Sequence, residues 1–431
     1  MFQSLNIMLE STLTSSFFSK ITIKYKTQFL YLMGAFILLS MAINQPFLTI
    51  SFAPRLPRLA LEGLILIILI SIYAYKLKNK VTSLSLIILV ISLGISYFLN
   101  QEDLIRYIGF FNKVSFGILF YNYLKENQHH IQFYRLGWII IWIMVSIWSI
   151  IAFCTYAFFP ELFHVVDFGK IDVHAPYTYY ISDWYQLIIP RTFFEKISIG
   201  RIVGVFFEPI HLGYFAWLNV LLGNVLFNQR KSQILYTSMS FVVGLLSFSL
   251  FFYAVAILLT PVFVIRDSKR FSKYWRIFGF AWIAFIFLIY LANLDFFIST
   301  GSGSNRLFRM GSALKAFDDS TFWTFLFGNG TNIHLKYMEF GFVSGLFEVC
   351  LTKGLIVCSV VTGFIVFLTR KDIILLLSVF IWSFGLNPFY YLLFYFLLTL
   401  AYHLNNEASV VQQNSSISEE KAASSEELSG Q

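Results

Sequence analysis

Long apolar runs broken by short basic connectors dominate the pattern of this chain. A membrane span needs roughly 20 mostly apolar residues to cross about 30 Å of hydrocarbon. That template fits 28–45, 59–75, 81–99, 104–124, 136–159, 201–227, 275–293, 354–369, 373–385 and 388–403. The stretch 233–265 is too long for one crossing and short for two. Basic connectors fall at Lys20, Lys24 and Lys26, at 76–80, at 125–135, at Arg230 and Lys231, at 266–276, and at Arg370 and Lys371. If all of them face the cytoplasm, Arg230 and Arg266 lie on one side, so the chain between them goes out and returns. Two short spans meeting near Ser247–Ser249 satisfy this.

The pattern predicts an all-α polytopic membrane protein of about 12 transmembrane helices, with both termini cytoplasmic. Residues 1–27 form a cytoplasmic N-terminal segment and 28–403 the transmembrane domain; Glu339–Cys350 forms a partial helix before the tenth span. Two long outer loops are expected, at about 160–200 and 294–338. Long loops in compact proteins tend to be functional or disordered, and these are too aromatic for disorder. The tail 404–431, rich in serine and glutamate, is expected to be disordered.

Composition agrees with a bilayer setting. The chain is 58% hydrophobic and 13% charged, against about a quarter charged in a soluble domain. Its net charge of +8 sits in the connectors, which points to a bilayer and away from nucleic acid. Cys154, Cys350 and Cys358 lie in apolar runs without metal-ligand spacing. The N-terminus lacks the basic start and continuous apolar core of a cleavable signal peptide.

The stretch GRIVGVFFEPIHLGYFAW (200–217) carries Arg201, Glu208 and His211 in an apolar setting. Read as a helix, it puts Arg201, Gly204, Glu208 and His211 on one face. A charge near the bilayer centre costs about 2.5–3.5 kcal/mol even on the gentlest scale, so such a face requires a watery cavity or a partner. Pro209 would open the helix beside the acid. A polar cavity opening outward is one reading; an Arg201–Glu208 ion pair that locks helices together is the other.

The second loop adds RLFRMGSALKAFDDSTFW (306–323), whose apolar spacing predicts an amphipathic helix lying at the interface. Arg306 and Arg309 are one turn apart, and arginine forks suit phosphate. GSGSN (301–305) before it permits a tight turn, and GNG (328–330) after it can offer backbone N–H groups to an anion. Binding of lipid headgroups is the competing use of this basic helix. His334 follows the glycine turn, where a loop histidine is catalytic or structural. Arg106 and Lys113 share a face of the fourth span and are assigned a supporting role behind the site. Glu348 and Lys353 are spaced to neutralise each other in part.

Two of these segments resemble a known group. RIVGVFFEPIHLG resembles the motif closing the large outer loop of the O-antigen polymerase and O-antigen ligase superfamily. SGSNRLFRMGSALKAFDDS, followed by FLFGNGTNIHLKYMEFGFVSGLFEVCLTKGL, resembles its second motif. The resemblance covers roughly 200–354 by motif and the rest by architecture. It implies transfer of a glycan from undecaprenyl diphosphate to an acceptor hydroxyl on the outer side of a bacterial cytoplasmic membrane. It implies that Arg201 and Arg306 bind the diphosphate with Arg309 as helper, and that His334 matches the ligases' essential histidine. Glu208 is an alternative base, or an orienter of His211 or Arg201; His211 is a third candidate. No cofactor or metal is called for. A lipid-linked repeat as acceptor makes a polymerase, the reading favoured here; lipid A core makes a ligase. The partners implied are the lipid-linked oligosaccharide, the bilayer and a chain-length regulator. A lipid-linked oligosaccharide flippase is the alternative of another class, although flippase charges belong in a midplane cavity.

Overall fold

The computed structural model describes residues 63–65, 80–101, 104–166, 179–182, 187–193, 197–204, 206, 209–267, 274–292, 301–337, 345–384 and 386–407. The expected N-terminal segment 1–27, the span 28–45, most of 59–75, and the tail from 408 lie outside the described residues.

The fold is mostly helical. In chain order the helices are α1 (Lys80–Asn100), α2 (Leu104–Glu126), α3 (Ile131–Phe158), α4 (Pro209–Leu226), α5 (Arg230–Leu246), α6 (Leu250–Asp267) and α7 (Trp275–Ala292). They continue with α8 (Gly301–Asp318), α9 (Phe322–Phe327), α10 (Gly345–Lys353), α11 (Leu355–Thr369), α12 (Ile373–Ser383) and α13 (392–407). Among the described residues, three helical stretches are long and apolar enough to cross a membrane: Ser83–Asn100, Gln128–Phe158 and Pro209–Leu226. Phe251–Ile265, Ile277–Ile286, Leu355–Thr369 and Ile373–Ser383 are shorter apolar helices.

The apolar periodicity located most of these elements. Even the division of 233–265 falls where charge placement puts it: α5 ends at Leu246, α6 starts at Leu250, and Phe248 between them has φ +45°. The Ser247 hydroxyl donates to the Gly244 carbonyl at 2.6 Å and so closes the last turn of α5.

The all-α expectation is corrected in the stretch expected as the first long loop. Four strands, β1 (Phe163–Val166), β2 (Tyr179–Ser182), β3 (Leu187–Phe193) and β4 (Ile197–Gly204), form one antiparallel sheet in the order β1-β2-β3-β4. The span expected at 201–227 therefore begins only at Pro209. The sequence of β4, ISIGRIVG, is rich in β-branched residues that suit a pleated strand. Pro209 does not kink a helix. It stands at the first position of α4, where a missing N–H and a fixed φ are assets.

Helix α4 occupies the centre of the bundle. Its membrane-length window is 83% buried, against 22% for that of α1, whose flank is mostly exposed. Polar side chains tie α4 to its neighbours. Asn219, fully buried, accepts from Trp138 Nε1 of α3 at 2.8 Å and from the Tyr236 hydroxyl of α5. Trp217 Nε1 donates to Ser378 of α12 at 3.0 Å. Such bonds carry much of the specificity of helix association where lipid offers no hydrophobic drive.

Candidate functional site

The residues singled out in the sequence divide into two groups, and a short connection unites part of each. Arg201 sits on β4, paired with Ile189 of β3, and is half-buried. Its neighbours Ile202 and Val203 are fully buried. Because 197–204 is a strand, the single helical face of Arg201, Gly204, Glu208 and His211 does not exist. Glu208 itself lies outside the described residues. His211 belongs to the first turn of α4 and is buried.

His211 Nε2 shares a 2.6 Å hydrogen bond with the hydroxyl of Tyr391, and the two rings meet edge to face at 5.3 Å. Tyr391 closes the connection between α12 and α13. There Pro388–Tyr390 forms one turn of 3-10 helix, because Asn387-Pro388 cannot continue α12.

The next residue, Tyr390, turns to the second group. Its hydroxyl is 3.5 Å from Thr352 Oγ1 on α10, and its ring packs 5.1 Å from that of Phe110 on α2. Glu348 of α10 lies beside the Tyr390 hydroxyl. Glu348, one turn before Thr352, is half-buried. Burial lifts its carboxyl from 4.5 to about 7 against the downward pull of Asn387 and Lys353. Lys353 is fully buried, with its ammonium 3.8 Å from the centre of the Tyr107 ring. A cation over an aromatic face is a favourable pairing once desolvated.

Arg106, one residue before Tyr107, is exposed and donates from Nη1 to Asn332 Oδ1 at 2.7 Å and to Thr331 Oγ1 at 3.5 Å. It thus contacts the residues that follow the glycine turn. Lys113, two turns along α2, bonds the Gly109 carbonyl at 3.2 Å.

The glycine turn expected at 328–330 is present, with Gly328 at φ +97° and Gly330 at φ +88°. Its N–H groups are not offered to an anion, and that expectation is corrected: Gly328 N–H donates to Thr324 O at 2.8 Å, Asn329 N–H to Leu351 O of α10 at 2.8 Å and Gly330 N–H to Thr352 O at 3.3 Å. The expected tight turn at 301–305 is corrected, since α8 starts at Gly301 and that segment is its first turn. Arg306 and Arg309 both lie on α8, with Arg309 half-buried. The side chains of Arg306 and His334 lie outside the described residues; His334 is on the 3-10 turn Ile333–Lys336.

The geometry therefore joins His211 to the α10 cluster through consecutive tyrosines, with Arg106 beside the glycine turn. Tyr390 and Tyr391 were not singled out in the sequence. The signal was NPFYY (387–391), a polar and aromatic break between two apolar runs. Comparisons with family models, curated proteins and solved structures give no match.

Proposed function

We propose that the protein is a membrane-embedded polysaccharide polymerase of about 12 spans. In this reading it transfers a glycan from undecaprenyl diphosphate to a sugar hydroxyl of another lipid-linked repeat, on the outer side of a bacterial cytoplasmic membrane. The observation that carries the reading is the Tyr390–Tyr391 link: one connection touches both segments that bear the resemblance, through His211 and through Thr352. A glycosyl transfer needs one site for the diphosphate and one for the acceptor, held close together.

The chemistry follows from the groups involved. The acceptor hydroxyl gives up its proton as its oxygen bonds the anomeric carbon, and the diphosphate departs with the electrons of the broken bond. Preorganised cations stabilise that departing charge best in a dry site. Arg201, Arg306 and Arg309 are the proposed holders, with Arg106 and Lys113 behind them. Glu208, His211 and His334 are the candidate bases, each requiring hydrogen-bond reach of the hydroxyl.

The test is reconstitution of the full chain in vesicles with an undecaprenyl-diphosphate-linked repeat, followed by gel analysis of products. Elongation is expected with the wild type and none with Arg201→Ala or Arg306→Ala, both still inserting in the membrane. Normal long chains from either variant overturn the diphosphate assignment, and an unchanged rate in His334→Ala returns that residue to structure. Gene deletion separates polymerase from ligase: single repeats on the core mark the former, and unattached long chains the latter.

A further inference from the structure

The short helix α9, FWTFLF, was not expected as an element, and its surroundings give it a partner. A capping box sets its start: the Thr321 hydroxyl accepts from Thr324 N–H, and the Thr324 hydroxyl accepts from Thr321 N–H. Gly328 ends it in a conformation that favours glycine. One side of α9 rests on the protein, where the Leu326 carbonyl abuts Gly354 at the start of α11. The other side presents Phe322, 68% exposed, and Trp323, 61% exposed, with Trp323 stacked along Phe327 at 6.2 Å.

This aromatic edge continues in two directions. Phe325 meets Phe317 of α8 at 6.3 Å, and from Phe317 the exposed Leu314 and Met310 run back along α8. The apolar stripe expected on α8 is thus turned outward in part, while the small residues Ala313 and Ala316 face Leu351 of α10. In the other direction α9 packs on the end of α1, where the Asn100 side chain donates to the Gly328 carbonyl at 3.0 Å. Phe98 and Leu99, in the last turn of α1, are exposed beside it.

From this continuity we infer that α9 and the Met310–Leu314 edge of α8 form a docking surface for a lipid bilayer, seated at the boundary between headgroups and acyl chains. α1 is long and apolar enough to span, its flank is mostly exposed, and α9 lies level with its last turn. A surface at that level meets the headgroup boundary, where tryptophan is favoured because its ring is apolar and its N–H is polar. Asp318, one turn beyond Leu314 on the same stripe, ends the apolar edge, and Lys315 lies on the adjacent exposed flank of α8. The arrangement fixes the glycine turn and Arg106 at headgroup depth. It holds whether or not the protein is a polymerase.

The experiment uses the full chain in phosphatidylethanolamine–phosphatidylglycerol vesicles and compares wild type with Trp323→Phe. The chain has nine tryptophans, so the difference in emission isolates the Trp323 signal. Quenching of that signal by lipids brominated near the glycerol end of the acyl chain, with protection from aqueous iodide, is expected. Quenching by iodide alone overturns the proposal by placing the edge in water. Insensitivity to both also overturns it, because another protein surface or a second copy then covers the edge. A Leu314→Trp reporter should repeat the bromine result, and a Lys315→Trp reporter should be quenched by iodide; the reverse pattern overturns the orientation of α8.

Discussion

Gly328 and Gly354 each stand against the backbone that leads into the other, at the head of α11. A Cβ on Gly328 would lie 2.4 Å from the Thr352 carbonyl oxygen, and one on Gly354 would lie 2.3 Å from that of Leu326. Both have positive φ, +97° and +89°. No side chain fits either space, and neither conformation suits an L residue. Gly328→Ala and Gly354→Ala are each expected to lower stability by about 2–4 kcal/mol. The double variant should fall short of the sum, since both disturb one contact. Thermal unfolding in detergent checks this, and additive losses would mean that the two glycines act separately.

The buried amide of Asn219 gives a second prediction. Its oxygen accepts from Trp138 and Tyr236, and its Nδ2 donates to the Phe215 carbonyl at 2.7 Å. Asn219→Leu leaves an indole N–H and a phenol without that acceptor. Interhelical hydrogen bonds in membranes average about 0.6 kcal/mol, so a loss of about 1–2 kcal/mol is expected. Trp138→Phe removes one bond and should lower the melting temperature less on that account, provided the smaller ring repacks. No measurable change in Asn219→Leu would show that the site binds its partners too weakly to matter.

Glu348 predicts a pH dependence. Its carboxyl titrates near 7 in the folded protein, above the ordinary 4.5. Between those values the folded state holds a proton that the unfolded chain has released, so stability falls as pH rises through this window. Glu348→Gln, which stays neutral, should flatten the slope between pH 4.5 and 7 while keeping the fold. Lys353, Asn387 and Tyr390 face the group and remain in both proteins. Melting curves across that range read the difference; identical slopes would mean that the carboxyl is better hydrated than its setting suggests.

The apolar runs revealed helices because burial in lipid or core imposes a period that residue type alone can carry. They also hid the sheet. In ISIGRIVG the β-branched residues satisfy a strand as well as a buried helix, and a short apolar run does not distinguish them by period. Extending the helix of α4 backward over this segment brought Arg201 and His211 onto one face, an alignment that a strand removes. Pro209 carried the missing information, since proline is most at home at the first helical position. The glycine turn was legible because only glycine readily adopts two positive φ angles so close together. Tyr390 and Tyr391 were not, because aromatic residues at a span end are usual interfacial anchors. Their hydrogen bonds are long-range contacts without a local pattern.

The last prediction concerns the link between His211 and Tyr391. The hydrogen bond holds the imidazole in place, and because a phenol both donates and accepts, it serves either neutral tautomer. If His211 serves the proposed transfer, Tyr391→Phe keeps the ring that packs against the imidazole and removes only the hydroxyl. Loss of one such bond is worth about 0.5–1.5 kcal/mol, which corresponds to a drop of roughly tenfold or less in elongation rate. His211→Ala should fall further, and adding Tyr391→Phe to it should change nothing more, because the bond is already gone. Rates measured on the reconstituted full chain, with melting temperatures as the control for folding, separate the cases. A Tyr391→Phe protein that elongates at the wild-type rate would reduce the contact to packing. Equal losses of rate and stability in both single variants would assign it to the fold alone.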